Sequence, residues 1–274
     1  YAWFYNRENI NVNLGFQDYR FVENYFSPLT DGGVGYEDMF FSELIKLWEA
    51  DKALGKPVFQ YNLTYQGHGP YEDDKTWWGD GYVVDDRDYT QAELNILNNY
   101  FGSVYDTSQD LAAFFDYFRE EEEPVVIVVF GDHNPWLGDS NSVYEAMGLD
   151  LDFSTPEGFY NYYSTRYLIW ANDAAKAALG RDFTGEGPTV SPNFLMNVVF
   201  DACGWEGPAY MQAAGEVMDQ VPVINTPTGL YVEDGALTGA LSPKGQSLVE
   251  KYDMLQYYWR KEFAYADADA VPAA

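Results

Sequence analysis

Six consecutive apolar residues, Val125 to Phe130 in "EEEEPVVIVVFGDHNPWLG", follow four glutamates and run straight into Gly131, Asp132 and His133. A run that is apolar at every position and mostly β-branched predicts a strand covered on both faces, as a parallel strand between helix layers would be. The chain alternates around it. "KPVFQYNLT" (Lys56 to Thr64) predicts another strand, entered through Pro57, after a helix-like "EDMFFSELIKLWEADKALG" that closes on Gly55. From Thr90 to Phe118 apolar residues recur at helical spacing, with Thr90 and Glu93 in capping-box register and a bend expected near Gly102. "RYLIWA" (Arg166 to Ala171) repeats the strand signal. "SPNFLMNVVFDACG" predicts a helix capped by Ser191, with Pro192 at its first position and a stop at Gly204, and "SPKGQSLVEKYDMLQYYWRKEFAY" repeats that opening. Strands alternating with helices predict an α/β sandwich with a mostly parallel sheet between helix layers. It is expected to fill residues 1–265, with "ADADAVPAA" (266–274) as a disordered tail.

At 274 residues and 47% hydrophobic, the chain can bury a large core. Its formal charge of −29 repels a phosphate backbone, which excludes nucleic acid as a partner. The longest apolar run falls far short of the roughly 20 residues a membrane span needs, and the expectation is that any export signal was removed or lies outside these residues, as does any membrane segment. Cys203 is the sole cysteine, which rules out an internal disulfide and any site built from several thiolates. Aromatic content reaches 18%, with 24 Tyr and 8 Trp. Packing accounts for most of it, and the same residues suit a wet groove that meets sugar or glycerol.

In α/β folds ligands gather at the carboxyl ends of parallel strands. Asp132 and His133 stand at such an end. A carboxylate and an imidazole suit a divalent cation, and without spare thiolates the candidates are Mn²⁺, Mg²⁺ or Zn²⁺. The bland alternative makes Asp132 a cap and His133 a satisfied loop histidine. The chain's other histidine, His68, lies in "YQGHGPY", where two glycines and a proline shape a tight loop after the predicted Lys56–Thr64 strand. Both histidines thus fall on loops leaving strands, which argues for one shared crevice.

These stretches carry a resemblance. "PVVIVVFGDHNPWLG" resembles the hydrophobic strand, Gly-Asp-His and Leu-Gly stretch of the sulfatase-like phosphoglycerol transferases, the lipoteichoic acid synthase and MdoB-like branch of the alkaline phosphatase superfamily. "LTYQGHGPY" is similar to that family's T-x-Q-x-H-x-P-Y loop, and "WFYNRENINVNLGFQDY" to its F-W-N-R … G-F-D-x-F segment. "TRYLIWAN" and "SPNFLMNVVFDACG" are similar to its later strand and helix, all in the family's order. The resemblance implies that Asp132 and His133 are metal ligands, with Mn²⁺ the first candidate. It implies that His68 holds the transferring phosphoryl group or its departing oxygen, and that Arg7 contacts the phosphate. Tyr5 stands where the branch often has Trp, in the same substrate-binding segment. For Arg7 a surface ion pair is the competing reading. Transfer of a phosphoryl or sulfuryl group spreads negative charge over its oxygens, which a cation, a guanidinium and an imidazole donor stabilise.

One departure matters. The family's nucleophile (Thr, Ser or modified Cys) and an acidic metal ligand precede the F-W-N-R segment, and the sequence opens almost at that segment. No Cys-x-Pro-Ser-Arg stretch occurs, and Thr64 falls inside a predicted strand. The expectation is therefore the carboxyl-terminal part of a catalytic domain, with the upstream part of that domain as its partner and the extracellular face of the bacterial membrane as its location. Its substrate would be an anionic phosphoglycerol or sulfate ester of the cell envelope. The alternative is a binding or scaffold domain without catalysis, and the residues upstream of Tyr1 discriminate the two.

Overall fold

The computed structural model describes residues 1–30, 37–85 and 87–263; the tail expected at 266–274 lies outside them. In chain order the elements are α1 (Arg7–Asn13), α2 (Glu37–Lys52), α3 (Gln91–Arg119), β1 (Val126–Phe130), α4 (Ser142–Ala146), α5 (Pro156–Tyr163) and β2 (Tyr167–Ala171). There follow α6 (Asp173–Leu179), α7 (Leu195–Cys203), α8 (Ala209–Gln220), β3 (Val223–Asn225), β4 (Leu230–Glu233), β5 (Ala236–Thr238) and α9 (Pro243–Phe263). Among the described residues no helix is long and apolar enough to cross a membrane. The chain divides into two compact units: Tyr1–Glu8, Asp18–Glu122 and Phe130–Arg166 form one, and Asn9–Gln17, Glu123–Val129 and Tyr167–Ala274 the other.

The first unit is organised by α3. Thr90 accepts from the Glu93 amide and Glu93 returns the bond to the Thr90 amide, so the capping box forms as its sequence predicts. The helix runs unbroken through Gly102. That glycine allows a close approach, since a Cβ would meet Trp78 Cβ at 2.5 Å. One face of α3 packs on α2 through Phe41, Phe114 and Phe118, and Lys52 of α2 pairs with Glu121 at 2.8 Å. Ile96 and Leu97 join Leu137, Val143 and Tyr144 in the core. Buried asparagines line another part of α3. Asn95 and Asn99 donate to the Asp73, Glu72 and Lys75 carbonyls, while Asn98 and Asn99 accept from the Tyr82 and Trp77 amides. An irregular segment buries its backbone only if such partners exist, which explains polar residues at core positions.

In the second unit Phe194, Ala214, Val217 and Tyr252 form the core between α8, α9 and the turn before α7. Gly204 ends α7 in the left-handed region, at φ 74°. Ser191 does not cap as expected. Its hydroxyl exchanges hydrogen bonds with the Ile224 backbone instead, tying a short 3₁₀ turn at Pro192–Phe194 to β3. Strands β3, β4 and β5 form an antiparallel meander in which Val232 faces both Val223 and Leu237.

The sheet differs from expectation. Strands β1 and β2 pair with each other alone, and their end contacts run in opposite order: Gly131 N–H donates to Arg166 O, and Asn172 N–H to Val125 O. They are antiparallel, and the described residues hold no parallel pair. β1 is half-buried and Phe130 is exposed. An unbroken apolar run predicts a strand but not the direction of its partner; here the chain returns through α4 and α5 and lays β2 back along β1. The strand predicted at Lys56–Thr64 does not form. Those residues stay outside both sheets, with Phe59, Tyr61 and Leu63 exposed, because extended backbone becomes a strand only beside a partner that completes its ladder.

Candidate active site

Both histidines lie in the first unit, and the fold brings them together. The rings of His68 and His133 meet edge to face with centroids 6.0 Å apart. His68 sits on the loop that precedes α3's irregular flank. Its amide donates to Tyr65 O at 2.9 Å, the Tyr71 hydroxyl donates to Gly67 O at 2.6 Å, and the Tyr65 ring stacks on the imidazole at 5.2 Å. Burial raises the Tyr71 hydroxyl's pKa, so that hydroxyl stays a donor at any physiological pH. A Cβ on Gly69 would come within 3.1 Å of the Tyr71 ring, so a larger residue there would need that ring to give by a few tenths of an ångström.

His133 follows β1 directly. Its amide donates to Asp132 Oδ1 at 3.0 Å, and its Nε2 lies 3.8 Å from the same oxygen. The two ring nitrogens are used alike in both histidines: Nδ1 contacts a backbone carbonyl, Gly69 O for His68 at 2.6 Å and Asn134 O for His133 at 2.8 Å. A carbonyl has no proton to give, so each Nδ1 is the donor. In the neutral ring that leaves each Nε2 as a bare lone pair, the form a metal ion or a proton requires.

The donor set fits part of a cation site. A carboxylate oxygen and an imidazole nitrogen 3.8 Å apart can bind one ion, since two bonds of about 2.1 Å span up to about 4.2 Å. Asp132 and His133 side chains are 67% and 57% exposed, open to such a ligand. Among the described residues no group of three or more His, Cys, Asp or Glu is arranged to hold a metal. Arg7 and Tyr5 are not brought to this pair by any contact among the described residues. Arg7 opens α1 half-buried, with no ion pair among the described residues, while Tyr5 is 73% exposed. Tyr5 and Asn6 both adopt left-handed backbone, at φ 54° and 56°, a conformation that non-glycine residues populate sparsely.

Asn134 was not singled out by the motif, yet it anchors the His133 turn. Its side-chain amide donates to the Asn161, Tyr162 and Ser164 carbonyls at 3.0, 3.0 and 3.1 Å, at the end of α5. These are carbonyls a helix leaves unpaired at its C-terminus. Asn134→Ala is expected to cost about 1–3 kcal/mol in chemical denaturation, and an unchanged midpoint would mean the anchor carries no load. Beside it, a cavity of about 250 Å³ is lined by Asp132, His133, Trp136, Asn161, Tyr162 and Tyr163. Trp136 is 70% exposed at its rim.

An exposed carboxylate–imidazole pair thus follows β1, with a second histidine from a separate loop beside it. The structure is similar to that of Streptococcus pyogenes phosphoglycerol transferase GacH in complex with sn-glycerol-1-phosphate, with a TM-score of 0.64 and 19% identity, over 93% of this chain and 58% of that one. The sulfatase family model matches residues 1–204, and the chain belongs to the sulfatase family. It is 28% identical over 230 residues to the "Putative cyclic beta-1,2-glucan modification protein" of Rhizobium meliloti (strain 1021), covering 82% of this chain and 34% of that protein. The chain thus spans about a third of the length of that curated relative.

Proposed function

We propose that this chain carries one part of the active site of a metal-dependent phosphoglycerol transferase, or phosphodiester hydrolase, acting on a cell-envelope glycan or glycolipid. One observation carries the reading: the only two histidines of the chain come together with centroids 6.0 Å apart, each turning Nδ1 to a backbone carbonyl so that Nε2 is left to accept, and Asp132 lies beside His133. The phosphoglycerol class is supported by the likeness to a transferase bound to sn-glycerol-1-phosphate, and a glycan acceptor by the rhizobial relative, whose name refers to glucan modification. A sulfate ester is the less favoured substrate.

In this reading Asp132 and His133 hold a divalent cation, Mn²⁺ first and Mg²⁺ or Zn²⁺ next. Bound there, it would neutralise charge building on the transferring group's oxygens. His68 takes the proton of an incoming hydroxyl at Nε2 or, once protonated, gives it to the departing oxygen. Arg7, a cation without an ion pair among the described residues of a chain at −29, binds the phosphoryl oxygens, with Tyr5 in the same segment. The remaining ligands and the nucleophile come from an upstream segment of the same domain, which also supplies any membrane attachment at the extracellular face.

The test uses a chromogenic phosphodiester with Mn²⁺. The 274-residue chain alone is expected to give no turnover, and the upstream segment, fused or added separately, to restore turnover and cation binding together. Turnover by the chain alone that His133→Ala abolishes would place a nucleophile within these residues. An inert full-length protein would favour the scaffold reading.

A further inference from the structure

We propose that Glu37 is a positioning residue for His68, acting with Gln66 as a clamp on the histidine's loop. The role given to His68 rests on the function proposed above; the clamp itself does not. Glu37, the first residue of α2, is 2% exposed. Its Oε1 accepts the Tyr65 amide at 2.9 Å and the Gln66 amide at 2.7 Å. The contact is reciprocal, since the Glu37 amide donates to Gln66 Oε1 at 3.0 Å. The Gln66 side-chain amide then donates to Asp106 Oδ2 at 2.8 Å and Thr107 Oγ1 at 3.3 Å on α3. Two helices therefore grip one loop through a single Glu–Gln pair.

The gripped residues are the ones His68 depends on. Tyr65 supplies both the carbonyl that accepts the His68 amide and the ring stacked on its imidazole, with planes 9° apart. Moving the Tyr65 peptide moves the histidine. A carboxylate is a poor choice for simple packing here, because burying it is costly unless hydrogen bonds compensate. Only one oxygen is compensated: Oε2 has no partner among the described residues. Burial raises this carboxyl's pKa, with Asp110 adding to the shift. An apolar residue would fill the space without that cost but would leave two loop amides without an acceptor, so the carboxylate serves the loop.

Glu37→Gln separates the acceptor from the charge. It keeps Oε1 for both amides and forfeits no bond at the orphaned oxygen, whereas Glu37→Ala removes the acceptor. With only two histidines in the chain, ring signals from histidine-labelled protein report His68 directly. In Glu37→Ala the His68 ring signals are expected to lose the upfield shift of the stacked Tyr65 and to broaden, with wild-type signals in Glu37→Gln. A folded Glu37→Ala whose His68 signals match wild type would overturn the clamp. Should that variant not fold, Gln66→Ala is expected to give the same loss. Wild-type hydrogen exchange is an independent check: the Tyr65 and Gln66 amides should exchange at least tenfold more slowly than the exposed residues before them, and equal rates would overturn the proposal. In the active longer enzyme Glu37→Ala should lower kcat about 10- to 100-fold, with Glu37→Gln near wild type. If the ring signals respond and kcat does not, the clamp stands and the role of His68 in turnover falls.

Discussion

Alanine at Asp132 or His133, in a form of the enzyme that includes the upstream segment, is expected to abolish stabilisation by Mn²⁺ and to lower turnover at least about 10²-fold. A cation at 100 times its dissociation constant stabilises the native state by about 2.7 kcal/mol, so its loss is readily seen as a metal-dependent melting shift. Both side chains are more than half exposed and neither is part of a core cluster. Without metal, then, the variants should melt as wild type does. That separates loss of a ligand from loss of fold. The measurement is the melting midpoint with and without Mn²⁺ in wild type and both variants. If all three respond alike, the Asp-His pair is not the cation site, whatever happens to turnover.

Gly158→Ala is expected to destabilise the first unit by about 3 kcal/mol or more, lowering its thermal midpoint by about 6–12 °C. A Cβ there would overlap the Asp152 carbonyl and come within 2.7 Å of the Asp152 amide nitrogen. Backbone cannot swing aside as a flexible side chain can. The same glycine donates its amide to Thr155, the cap of α5, at 3.0 Å. Any shift of α5 displaces the Asn161 and Tyr162 carbonyls that hold Asn134, and with them the turn bearing His133. The damage should therefore reach the site: a stabilised background carrying Gly158→Ala should bind Mn²⁺ more weakly in the longer enzyme. An unchanged midpoint would mean that the tight approach of α5 to Asp152 does not exist.

Local chemistry was legible in the sequence wherever the partners are neighbours in the chain. The Thr90–Glu93 box, the stop at Gly204 and the strands β1 and β2 depend on residues a few positions apart, so their spacing alone predicted them. The loops of His68 and His133 were likewise visible from their glycines and from the apolar stretches that precede them.

Other features depend on partners far away in the chain. Lys56–Thr64 has the composition of a strand, but composition supplies no neighbour, and none of the described strands lies beside it. The direction of β2 against β1 is set by the path of the intervening chain, not by either strand's residues. Asn95, Asn98 and Asn99 read as ordinary polar positions on a helix until the irregular segment that needs their hydrogen bonds is packed on them. Glu37 is the sharpest case. In sequence it is one acid among 44, and its distinction comes from amides 28 and 29 residues away that reach its carboxylate only in the folded chain. Spacing and residue type singled out Asp132, His133 and His68 as candidates; folding brings the two histidines together and ties the His68 loop to Glu37, because a hydrogen bond is specified by distance and direction in space rather than by separation along the chain.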